Sequence, residues 1–212
     1  MTELAAVRYP APPVIRVADV LAKGLLVLLL MLVVLDPDSA NLRDKAAEAR
    51  AIGYPLVSFT IPAIWLLAWK ERASFPWLPD LMVTLTCFTD ILGNRMNLYD
   101  TIVWFDDLMH FLNTGLLAGA VILLTLHHST SRIRVVERAL AVGATGAIAW
   151  EIAEYYAFIS GGTERTFAYT DTLSDLTLGV LGSFAIALII HALWRQGQLR
   201  EAAPQLDGAH LR

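Results

Sequence analysis

Residues 25–35 read Leu-Leu-Val-Leu-Leu-Leu-Met-Leu-Val-Val-Leu, a run with no charged or polar side chain. Extended back to residue 17, the segment approaches the roughly 20 residues that carry a helix, at about 1.5 Å per residue, across a hydrocarbon core of about 30 Å. Five more apolar segments follow, at 54–69, 77–92, 106–126, 136–158 and 171–194. None alternates apolar with polar residues, so they are expected as helices rather than barrel strands. The second and third are short for a full crossing. Pro37 and Asp38, after the first segment, do not form a small-residue cleavage site, so a transmembrane helix is expected there rather than a signal peptide.

Composition agrees. The chain of 212 residues is 56% apolar and 17% charged, against roughly 45–50% and about 25% in soluble domains. This excludes a disordered chain, a disulfide scaffold and a basic nucleic-acid binder. A net charge of −4 identifies no partner, and the lone Cys87 makes no intramolecular disulfide and no zinc cluster.

Lysine and arginine set the orientation. With the N-terminus inside, eleven of the 16 fall on the cytoplasmic side. The expected architecture is therefore an all-α bundle of six transmembrane helices with both termini cytoplasmic. A cytoplasmic segment, 1–16, precedes a membrane domain, 17–195, and a tail, 196–212, follows. The outer loop 36–53 is expected as a solvated surface helix capped by Asp38 or Ser39. Gly115 and Gly119, Gly143, Gly146 and Ala147, and Gly179 and Gly182 form small-residue faces for close helix packing. Asp19 and Asp80 are expected as helix-end caps.

Ionisable residues inside spans are costly and face a bundle interior or a wet cavity. Asp90 ends the third span, Asp106, Asp107 and His110 open the fourth, Glu151 and Glu154 end the fifth, and Asp171 and Asp175 open the sixth. On this topology all eight lie in the outer halves of their helices. Glu151 lies about 10 Å below its helix end, and His110 and Asp175 about 6 Å below theirs. Asp106 and His110 are four apart, Asp107 and His110 three, Glu151 and Glu154 three, Asp171 and Asp175 four. Each pair therefore shares a helix face. Helix capping accounts for Asp106 and Asp171 as well as a site does. It does not account for Glu151, His110 or Asp175.

Converging carboxylates cannot all stay ionised without protons or a cation among them. Oxygen ligands with one imidazole suit Mg²⁺, Mn²⁺ or Ca²⁺, with Zn²⁺ as a further option. The expected metal ligands are Asp107, His110, Glu151, Glu154 and Asp175, with Asp90, Asp106 and Asp171 as secondary members. His110 or Glu151 is the expected general base. The leading function is a divalent-metal enzyme acting on a lipid head group or envelope intermediate. A proton or cation transporter is the second reading. Against it stand inner helix halves almost free of ionisable groups, and a lone mid-span proline, Pro62. A membrane assembly or stability factor with a structural polar clasp is the third. Oligomeric state is not legible.

The order Asp106-Asp107-Leu108-Met109-His110-Phe111 with Gly115, then Trp150-Glu151-Ile152-Ala153-Glu154-Tyr155, then Asp171-Thr172-Leu173-Ser174-Asp175 with Gly179 resembles the YjdF-like family of bacterial inner-membrane proteins. The resemblance covers about Asp90 to Gly182. Tyr155 stands where tryptophan is commoner, and Leu173-Ser174 replaces a more polar pair. A weaker likeness is to VanZ-like proteins, a group associated with the cell envelope and glycopeptide resistance. Both imply a multi-pass protein of the bacterial inner membrane, and neither supplies a reaction. The Pro-Ser-Gly-His pattern of lipid phosphatases is missing, and Asp106-Asp107 does not continue into the Asp-Gly-x-x-Ala-Arg signature of CDP-alcohol phosphotransferases.

Overall fold

The structure, a computed structural model, describes residues 12–36, 41–42, 45–71, 73–157, 159–161 and 168–199. These fold as helices: α1 Pro13–Leu35, α2 Ala47–Ser58, α3 Thr60–Ile64 running into a π turn Trp65–Trp69, α4 Trp77–Arg95, α5 Leu98–Thr101, α6 Phe105–Thr125, α7 Arg132–Ala157 and α8 Ala168–Arg195. α1, α6 and α8 are each long and apolar enough to cross a membrane, and the bent pair α2–α3 makes a fourth candidate. α4 and α7, of 19 and 26 residues, stay outside that set. Their composition explains why. α4 carries Asp80, Asp90 and Asn94, and α7 carries Arg132, Arg134, Glu137, Arg138, Glu151 and Glu154.

α1 starts cleanly because Pro13 occupies the first helical turn, where a missing N–H costs nothing. Its buried stripe is Ala22, Leu26, Leu30 and Val33, spaced by three and four, and it packs with Cys87 and Ile91 of α4. The other face, with Val17, Val20, Leu21, Leu28 and Met31, is exposed. In water such a strip would aggregate; against lipid tails it costs nothing.

α6 is the central helix, packed on α4, α7 and α8. Glycine sets its distance from α8. A Cβ on Gly115 would come within 3.0 Å of the Gly182 carbonyl oxygen, and one on Gly182 would overlap the carbonyl of Phe111. Gly143 of α7 lies against Ser183, and Gly179 against Thr114 and Ala147. The small-residue faces are thus packing surfaces, as expected, with one correction. A Cβ on Gly146 meets nothing within 4 Å, so that glycine lies off the contact face.

The second apolar segment departs most from expectation. α2 begins at Ala47, not in a separate surface helix, and runs towards α3 across a 41° bend. Pro55 lies inside α2 and Pro62 inside α3, so Pro62 is not the lone proline of a straight span. The cause is local. Pro62 has no N–H to give to the Ser58 carbonyl four residues earlier. The expected caps of this loop, Asp38 and Ser39, lie outside the described residues.

Asp19 and Asp80 are not caps. Asp19 sits in the second turn of α1 and is 2% exposed, and Asp80 is fully buried. Both lie beside Lys23, whose Nζ is 3.1 Å from Asp80 Oδ2. The few ionisable groups expected at this end of the helices are thus buried together rather than spent on helix ends. Charge counting could not separate a topology-setting lysine from one turned inward.

Candidate functional site

The start of α6, the end of α7 and the start of α8 meet at one end of the bundle, and His110 lies between them. Its Nε2 is 3.5 Å from Asp106 Oδ1 and 3.7 Å from Asp175 Oδ1, and its Nδ1 is 3.8 Å from Glu151 Oε1. His110, Glu151 and Asp175 are buried, whereas the Asp106 side chain is 42% exposed. Five of the eight residues expected in one layer, Asp106, His110, Glu151, Glu154 and Asp175, come together here.

The imidazole divides the carboxylates into two sets. Asp106, His110 and Asp175 offer ligand atoms within 4.8 Å of one another, and so do His110, Glu151 and Glu154. A metal held at about 2.0–2.2 Å by each ligand places tetrahedral ligand atoms roughly 3.4 Å apart. The 3.5 and 3.7 Å separations on the Nε2 side are near that spacing. A single ion cannot use both ring nitrogens of one imidazole. Were a cation bound, one carboxylate set would act as ligand and the other would accept the remaining ring N–H, the usual support for a metal-bound histidine.

Charge distinguishes the two sides. Glu154 interacts with the Arg50 guanidinium. Asp106 and Asp175 share only the imidazole as a nearby cation in the contacts described. Glu151 Oε1 and Asp175 Oδ1 are buried with no hydrogen-bond partner among the described residues. A buried carboxylate oxygen without a donor is costly. Both orphan oxygens face His110, on opposite ring nitrogens.

The other expected members lie elsewhere. Asp107 is exposed and accepts from the Ser174 hydroxyl at 3.0 Å. It ties α6 to α8 at the rim and stands outside both sets. Asp171 is exposed in the first turn of α8. Capping does not explain Asp106, since α6 has no side-chain cap hydrogen bond. Of the two arginines that flank these motifs in sequence, Arg95 ends α4 and Arg165 lies outside the described residues.

Asp90 belongs to a neighbouring cluster. Its Oδ2 accepts from Arg50 Nε at 2.9 Å and from Tyr54 Oη at 2.7 Å, and its Oδ1 from Tyr99 Oη at 3.2 Å. Arg50 also donates to the Lys45 carbonyl. Burial beside Asp90 pushes the Tyr99 phenol above its ordinary value. Sequence reasoning missed Arg50, Tyr54 and Tyr99. Arg50 and Tyr54 are four apart on one helix face, the only local signal available.

A rim of exposed apolar and aromatic side chains surrounds this end, including Val103, Trp104, Tyr155, Tyr156 and Tyr169. Such residues favour the level where hydrocarbon meets water. No curated protein and no solved structure matches the chain. The family model described as a predicted membrane protein, DUF2238, matches residues 19–196. The chain therefore belongs to this family of predicted membrane proteins, which is the YjdF-like family that its three motifs resemble.

Proposed function

We propose that the protein is a six-span protein of the bacterial inner membrane with cytoplasmic termini, and that its outer end binds one divalent cation. α4 and α7 complete the six spans. At about 1.5 Å per residue both are long enough to cross most or all of a hydrocarbon core. Asp80, Asp90, Asn94 and Glu151 are buried among neighbouring helices, and the exposed Arg132, Arg134 and Glu137 lie in the first two turns of α7, at its cytoplasmic end in this reading.

Asp106, Asp175 and His110 Nε2 hold the cation in this reading. Glu151 accepts the Nδ1 hydrogen, and Glu154 reaches Arg50. The observation that carries it is the pair of orphan oxygens, Glu151 Oε1 and Asp175 Oδ1, flanking one buried imidazole. Three protein ligands leave positions for water and substrate. A cation here would polarise a phosphoryl oxygen or activate a water. The apolar rim lets a lipid head group or a lipid-linked envelope intermediate reach the site from the side.

The test is metal content. Wild type and the His110→Ala/Glu151→Gln double variant are purified in mild detergent without chelator and counted by mass spectrometry. A near-stoichiometric divalent metal in the wild type, missing from a folded double variant, supports the site. Wild type that carries no metal, and takes up none of Mg²⁺, Mn²⁺, Ca²⁺ or Zn²⁺ on titration, overturns it.

A further inference from the structure

Away from the His110 site, α1, α2–α3 and α4 enclose a second buried polar cage. Lys23 Nζ donates to the Ser58 carbonyl at 2.7 Å, to Thr84 Oγ1 at 2.7 Å and to Asp80 Oδ1 at 3.2 Å. An ammonium has three N–H donors, and all three are used. The Ser58 carbonyl is available because Pro62, four residues on, cannot bond to it. The Phe59 ring lies 5.1 Å from the ammonium. Asp19 and Asp80 come within hydrogen-bonding reach of each other. Even so, Asp19 Oδ1 has no hydrogen-bond donor among the described residues, Asp80 Oδ2 faces the same Lys23 ammonium at 3.1 Å, and the two residues are 2% and 0% exposed.

The charges do not balance. Among the described residues two carboxylates face one ammonium, and the Cys87 thiol also lies near Lys23. A net negative charge in apolar surroundings is expensive. Two ionised carboxylates offer acceptors only, so their mutual contact needs a positive charge between them.

We propose that Asp19 and Asp80 bind one exchangeable monovalent cation between their carboxyl groups, either a shared proton or a sodium ion. Lys23 fixes the cage and supplies the other half of the neutralising charge. The site is independent of the His110 cluster. Asp80 and Asp90 are ten residues apart on α4, about 15 Å along the helix.

Infrared spectroscopy of the full chain in lipid tests this, with pH and sodium varied against a potassium background. A shared proton gives a protonated-carboxyl stretch that weakens as pH rises, ignores sodium and is lost in Asp19→Asn. A sodium site gives a carboxylate change on adding sodium but not potassium, with a sodium-specific rise in melting temperature, and both are lost in Asp19→Asn. If that variant does not fold, Asp19→Glu keeps the carboxyl, and a displaced band assigns the signal. No protonated-carboxyl band from acid to alkaline pH, together with no response to sodium, overturns the proposal. A difference spectrum between wild type and folded Asp19→Asn and Asp19→Glu with no component in the carboxyl region also overturns it.

Discussion

Arg50 and Asp90 lie 40 residues apart in sequence, yet Nε and Oδ2 are 2.9 Å apart, and both side chains are about nine-tenths buried. Arg50→Ala strands Asp90, and losing one partner of a buried pair costs about 3–5 kcal/mol. Arg50→Met/Asp90→Asn removes both charges and keeps an oxygen acceptor for Tyr54 and Tyr99. It is expected to melt well above the single variant. Thermal unfolding of Arg50→Met, Asp90→Asn and the double variant in one detergent, read as a double-mutant cycle, checks this; single losses that simply add up to the double would show that the pair is not coupled.

The end of the bundle that carries the site was legible before the fold was known. Asp106 with His110 and Asp171 with Asp175 follow helical spacing, and alternating span direction puts them level with Glu151 and Glu154. The choice between Asp106 and Asp107 was not legible. Both lie within a turn of His110, and only the α8 packing shows that Asp107 meets Ser174 while Asp106 meets the imidazole. Arg50 and Lys23 were hidden for a different reason. A cation near a span end supports a topology count equally well whether it points to water or inward. The four-residue step from Asp19 to Lys23 was present in the sequence, but its partners Asp80 and Ser58 lie on other helices.

Asp106→Asn and Asp107→Asn separate ligand from rim. The Asp106 variant is expected to lose most of the bound metal. The Asp107 variant keeps it and loses only a surface hydrogen bond. Glu151→Ala, which removes the support of Nδ1, is expected to weaken metal binding by about 10–100-fold. Competition with a calibrated chelator reads all three, and parallel losses at Asp106 and Asp107 would contradict the ligand assignment.

Two glycine substitutions are expected to act with opposite sign. Gly182→Ala drives a methyl onto the Phe111 carbonyl, and overpacking of this kind costs about 1–3 kcal/mol or more. Gly146→Ala meets open space in mid-helix and is expected to stabilise by about 0.5–1 kcal/mol. Melting temperatures of the two variants beside the wild type decide it.

The Lys45 hydrogen bond, with help from Asn41, holds the Asp100 carboxyl below the usual carboxylate range. A depressed native value means the stabilisation is full above the unfolded value, about pH 3.9, and is lost as pH falls through the native one. Lys45→Met should therefore cost stability near neutrality and nothing once Asp100 is protonated in both proteins. The two side chains are 28% and 46% exposed, so added salt should shrink the difference. A pH series of melting temperatures at low and high salt checks both parts.

The glycine contact between α6 and α8 also bears on the bilayer. Phe111 is the residue after His110, and Gly182 lies two helical turns from Asp175, so the main chains touch next to the site. The approach of α6 to α8 below His110 and Asp175 is backbone against backbone, with no compressible side chain in the joint. A thicker or thinner membrane would not widen it. That strain has a softer place to go, the hinge of α2–α3 with its two prolines and π turn. One half of the molecule thus acts as a caliper and the other as a spring.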